Sequence, residues 1–169
     1  MRALGAAPTI AGVPRVVWLR EDLHLSGNAA VGAAVAGAVA DGDGRVVVLV
    51  PVEDERWASL PPQERARRLA VLRDLDDKVD GQLLFQHGDP AVVVPPVVRA
   101  AGATHVHVLG TGRPDDVATE EAVRSALDVP LVVHSDDDER GDRRDDALAA
   151  LGRATFWMPV ACHGYPAAP

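Results

Sequence analysis

Between Val13 and Ala36 the chain reads VPRVVWLREDLHLSGNAAVGAAVA. An apolar run is followed within nine residues by Arg20, Glu21, Asp22, His24, Ser26 and Asn28, and then by a run of small apolar residues. A guanidinium, two carboxylates and an amide at such a turn are groups that hold a polar ligand. Trp18, just before them, is one of six Phe, Tyr and Trp residues in the chain. With Trp57 it is the best candidate to lie near a planar ligand. Arg20 either supplies charge under the loop or is tied to Glu21 or Asp22 as a structural pair. Asn28 or Ser26 also suits the cap of the helix that follows, so capping alone is a competing account of this turn.

Two further clusters carry similar chemistry. Glu53 and Asp54, in EDERWA, could accept from a ribose hydroxyl or a ring N–H. In GTGRPDD, the N–H groups from Gly110 through Thr111 and Gly112 to Arg113, together with the Arg113 side chain, could meet a phosphate or carboxylate at a helix start. A turn with a helix cap explains that stretch equally well. Asp89 reads as a helix cap. These residues, Trp18, Arg20, Asp22, Asn28, Glu53, Asp54, Gly110, Thr111, Gly112 and Arg113, form the expected binding set.

Catalytic groups are harder to name. The chain has neither GxxxxGK[ST] nor GxGxxG. Ser59 and Thr111 offer hydroxyls without an activating His at readable spacing. His105 and His107 alternate along one apolar stretch and read as a packed or edge-facing pair, with no carboxylate–His spacing that supports a metal. Cys162 is the single cysteine, so an internal disulfide or a cysteine metal cluster is excluded. No catalytic residue and no metal ligand is assigned.

The elements that would position these residues are legible as short Val-rich runs alternating with helical segments. Runs at 15–19, 45–52, 82–86, 104–109 and 130–134 read as strands, several apolar on both faces, as in a covered parallel sheet. Helices are expected over 28–40, 62–80, 90–101 and 114–127, with EDERWA left between elements as a loop. Pro95 and Pro96 predict a break or kink in the third of these. The order β-α-β-α-β-α-β-α-β implies a parallel sheet with right-handed crossovers. All the polar loops then lie beyond the carboxyl ends of strands, where such sheets place ligands.

The 169 residues suit one domain, with 47% hydrophobic and 25% charged residues, enough for a core. The net charge of −8, with sixteen Arg and one Lys, argues against non-specific nucleic-acid binding. No apolar run approaches a membrane span, and the first residues lack a signal-peptide pattern, so a cytoplasmic protein is expected. The expected organisation is an extension at 1–13, an α/β domain at 14–135, and an acidic linker with a Pro/Ala-rich tail at 136–169, holding a short helical piece near 145–151.

VVWLREDLHLSGNAAV resembles the opening of DNA photolyases and cryptochromes, in which a strand ending Trp-Phe-Arg leads to Asp-Leu-Arg-Leu and Asp-Asn. Trp18, Arg20, Asp22, Leu23, Leu25 and Asn28 match, and Gly27 stands in place of the Asp. The stretch from Arg68 through HGDP to HVHV is similar to the family's Leu-rich helix, strand, Gly-Asp-Pro turn and following helix. ATEEAVRSALDVPLVVHSDD is similar to its closing helix and fifth strand. The resemblance spans about 14–135 and implies the family's N-terminal α/β domain. That domain is a Rossmann-like, doubly wound, five-stranded parallel sheet of order 3-2-1-4-5.

In the family this domain carries an auxiliary light-harvesting chromophore in many members, while a helical domain binds FAD and damaged DNA. The resemblance therefore implies a free-standing binding or interaction module. Its ligand would be a flavin, deazaflavin or folate antenna, or a nucleotide. FAD at a repair site and repair by this chain alone are not expected. A second copy or a partner would cover the face toward the helical domain. The alternative is a nucleotide-binding protein similar to universal stress proteins, which share the strand order.

Overall fold

The computed structural model describes residues 14–20, 23–25, 27–41 and 45–135. The expected extension, linker, tail and helix near 145–151 lie outside the described residues. Five strands are formed: β1 (Arg15–Trp18), β2 (Val46–Val52), β3 (Leu84–His87), β4 (His105–Leu109) and β5 (Leu131–His134). They make one parallel sheet of order β3-β2-β1-β4-β5, as expected. Five helices connect them: α1 (Ala29–Ala40), α2 (Asp54–Ser59), α3 (Pro62–Lys78), α4 (Pro90–Ala101) and α5 (Pro114–Ala126).

Strand alternation sorts the side chains into two cores. Val17, Val46, Val48 and Val50 pack with Val31, Ala34 and Ala38 of α1 and with Leu72 and Leu75 of α3. Val16, Trp18, Val47 and Leu49 point to the other face, against Val94, Val97 and Val98 of α4 and Val123 of α5. β1 and the middle of β2 are therefore buried on both sides, which accounts for their unbroken apolar sequence.

Local chemistry sets the helix ends. Asn28 Oδ1 accepts from the N–H groups of Ala30 and Val31 at 3.0 and 3.2 Å, while its Nδ2 donates to the His24 carbonyl at 3.1 Å. The rest of α1 is small because it lies close to its neighbours: a Cβ at Gly37 would sit 2.7 Å from Arg15 Cζ. Asp89 accepts from Ala91 N–H at 2.8 Å, and Gly102 ends α4 at φ 63°.

The structure differs from the sequence expectation in two places. Residues 90–101 form one continuous helix through Pro95 and Pro96. The two missing donors would have served the carbonyls of Ala91 and Val92, in the first turn. Burial of Val94, Pro95, Val97 and Val98 holds the helix against that loss. The segment after β2 is not a loop; it turns directly into α2. Six residues are too few for apolar periodicity to reveal, although Asp54 and Glu55 in the first turn suit a helix start.

Candidate functional site

The chain runs outward one way through β1, β2 and β3 and the other way through β4 and β5. The switch lies between β1 and β4, where an open parallel sheet leaves a crevice at its carboxyl edge. A cleft of about 810 Å³, counted with its open mouth, lies there. Its floor is the end of β1 with Trp18 and Arg20. On the β2 side stand Glu53, Arg56, Trp57 and Arg68, and on the β4 side Thr111, Asp116 and Thr119.

Arg20 is the centre of the floor. Its guanidinium lies 5.1 Å from the Trp18 ring centroid, donates through Nη2 to the Leu109 carbonyl at 2.7 Å, and forms an ion pair with Glu120 Oε1 at 2.5 Å. Nη1 reaches the Asp116 carbonyl at 3.4 Å. Both partners of the ion pair are over nine-tenths buried, at 9% and 7% exposure. Of the two accounts of Arg20, the structural pair is the one seen, but the partner lies a hundred residues away on α5. The chain from β1 is thereby clamped to β4 and α5.

The β4 wall is acidic. The Thr111 hydroxyl donates to Asp116 Oδ2 at 2.5 Å and accepts from Arg113 N–H at 3.2 Å. The Arg113 side chain is 58% exposed and reaches only to 3.9 Å from Asp116. On the β2 wall, Arg56 pairs with Glu53 at 3.6 Å and Arg68 with Glu64 at 2.7 Å. Hydrogen bonds from Arg67 and then Arg68 hold the Glu64 carboxyl well down, at about 2.

Five of the expected residues meet here or at the rim: Trp18, Arg20, Glu53 and Thr111 line the cleft, and Arg113 caps α5 beside it. Asp22 lies outside the described residues. Asn28 caps α1 and is not part of the lining. Asp54 is likewise off the lining and pairs with His87 Nδ1 at 2.6 Å. Gly110 N–H is taken by the His134 carbonyl at 2.8 Å, extending the β4–β5 pairing. Gly112 sits exposed at φ 70°, a conformation that glycine adopts freely. Trp57 joins the lining.

Sequence reasoning missed Arg56, Arg68, Asp116, Thr119 and Glu120. The sequence reading of GTGRPDD, a turn with a helix cap or an anion-binding helix start, gives the acids of α5 no role in the cleft. A signal was available: positions 116, 120 and 123 share one helical face, and Val123 marks that face as buried. Among the described residues no group of three His, Cys, Asp or Glu is placed to hold a metal. No helix among them is long and apolar enough to cross a membrane.

The sequence profile of DNA photolyases matches residues 15–140. The chain belongs to the DNA photolyase family. It is 33% identical over 130 residues to a deoxyribodipyrimidine photo-lyase of Halobacterium salinarum, covering 72% of this chain and 27% of the relative. Against a cryptochrome DASH of Natronomonas pharaonis the identity is 30% over 124 residues, covering 67% of this chain and 25% of that protein. The fold is similar to a Synechocystis cryptochrome, with a TM-score of 0.62 and 14% identity, over 87% of this chain and 36% of the other. This photolyase-family chain thus spans about a quarter of the length of the two curated relatives. None of these matches is to a universal stress protein.

Proposed function

We propose that the cleft at the carboxyl edge binds a planar heteroaromatic small molecule, of the antenna-chromophore or nucleotide kind, in a module that does not itself repair DNA. The observation that carries the reading is the cleft itself. It is an open concave site at the sheet's carboxyl edge, where two indoles meet polar groups from three strand ends. Trp18 and Trp57 would supply apolar surface to a ring system, and Glu53, Thr111 and Asp116 would accept from or orient its edges. Such a chromophore, when bound, absorbs near-ultraviolet or blue light and passes on the energy. The net charge of −8 supports the absence of duplex binding, which draws on a field of Lys and Arg.

The test is an absorbance scan from the near ultraviolet through the blue on freshly purified protein, with mass spectrometry of anything released by heat. A flavin, deazaflavin or folate would establish the antenna reading. A released nucleotide would favour the stress-protein-like alternative. A colourless protein that also fails to take up added flavin, folate or nucleotide would overturn the binding reading. The remaining proposal is then an interaction module, with Val92 and Val117, 67% and 49% exposed on the neighbouring helices α4 and α5, as the place to look for a second copy or a partner.

A further inference from the structure

We propose that Asp116 sets the charge selectivity of the cleft: it receives an uncharged N–H edge of the ligand at the α5 wall and turns any phosphate or carboxylate toward the opposite wall at Arg56 and Arg68. The inference rests on the binding reading above and adds to it the side on which charge is accepted.

A glycine-containing loop running into a helix is where an anion is ordinarily expected, because N–H groups and the helix dipole converge there. The loop before α5 has that form, but its first and last N–H groups are already engaged. Gly110 N–H goes to the His134 carbonyl and Arg113 N–H to the Thr111 hydroxyl. Asp115 and Asp116 place carboxylates in the first turn, so the dipole is answered from within the chain.

Asp116 is more than a first-turn acid. Its side chain is 8% exposed, yet it lines the cleft, with Glu120 buried one turn behind it. One buried guanidinium, Arg20, serves both levels, and it gives its charge to Glu120 while meeting only the backbone carbonyl of Asp116. The Asp116 carboxylate is left with a neutral hydroxyl and the distant, exposed Arg113. A phosphate brought to this wall would meet like charge across a partly buried space, where repulsion is poorly screened.

The same wall suits a neutral edge. Asp116 accepts. A carboxylate at the wall of the cleft complements the N–H of a lactam or imide edge. Across the cleft, Arg56 and Arg68 are the lining cations, and the Arg56–Glu53 pair is 3.6 Å long and exposed.

Riboflavin and flavin mononucleotide share one ring and differ by a phosphate, so the ratio of their affinities reads where charge is accepted. It can be measured by fluorescence titration at low salt for the wild type and three variants. Arg56→Gln is expected to lower the preference for the phosphorylated flavin about threefold or more, and Arg113→Gln to leave it within about twofold. Asp116→Asn, which keeps the acceptor for Thr111, is expected to raise it about fivefold. A fall with Arg113→Gln and none with Arg56→Gln would place the anion at α5 and overturn the proposal. Both arginines are exposed, so this comparison stands even if Asp116→Asn fails to fold. If both flavins bind and no variant alters the ratio, the selectivity proposal fails while the binding reading stands. If neither flavin binds, the proposal fails with that reading.

Discussion

Arg20 and Glu120 show how much a single contact can decide. Neither has water enough around it to be stable alone, and each is the other's buried counter-charge. Removing one partner of such a pair leaves a buried charge uncompensated, which costs about 3–5 kcal/mol. Glu120→Ala is therefore expected to lower the unfolding free energy by about 3 kcal/mol in urea titrations. Glu121→Ala, removing an exposed carboxylate paired with Arg124, should change it by less than about 0.5 kcal/mol. Equal effects would mean that the Arg20 clamp does not hold β1 to α5. Arg20 could be picked out from the sequence as a charge placed after a buried strand. Its partner could not, because a contact a hundred residues long leaves no spacing to read.

At the scale of elements, α1 packs against the β4–β5 edge. His107 is buried on that face, with Nδ1 3.0 Å from His134 Nε2 and its ring stacked between those of His105 and His134. From β1, Arg15 adds a positive charge, itself bonded to Asp41 at 2.7 Å, and α1 from Ala29 to Ala40 brings no titratable group. Burial above all, then the nearby His134, Arg15 and His105, push His107 down to about 4. The folded form thus favours the neutral ring. Its contribution to stability is full above the unfolded value near 6.5 and is lost as pH falls from there toward 4. Stability measured by denaturant between pH 7 and pH 4 should fall by about 2–3 kcal/mol from this group, and His107→Gln should flatten the slope. An unchanged slope would show that another group carries the acid sensitivity. His105 and His107 were expected as a packed or edge-facing pair, and they are packed; the third ring, His134, comes from the neighbouring strand and only strand pairing brings it near.

For the whole molecule, a ligand held by several strand ends ties together segments that the chain otherwise joins only through the sheet. A ligand that binds the folded state alone stabilises it by about 2.7 kcal/mol at a hundredfold excess over Kd. In a domain of this size that should raise the midpoint of thermal unfolding by roughly 5–10 °C, read by circular dichroism with and without the flavin. No shift at saturating flavin would speak against a site built from the sheet's carboxyl edge.

The parallel sheet, its helices and the location of the polar loops follow from local pattern. Val-rich runs of strand length, a Gly-Asp-Pro turn and small residues over 29–40 each state a local preference, and here the preferences agree. Even the prolines of α4 yield to that agreement, since burial outweighs two lost bonds. What the residues within the cleft do was settled by distance in space. Gly110 and Arg113 have their N–H groups taken by a strand and a hydroxyl, and Asp54 turns to His87. Asp116 and Glu120 come inside because α5 rolls their face onto Arg20. Periodicity can assign a residue to a face of its own helix, but which other face it meets depends on how the elements pack, and that packing turned an acidic helix start into a wall of the cleft.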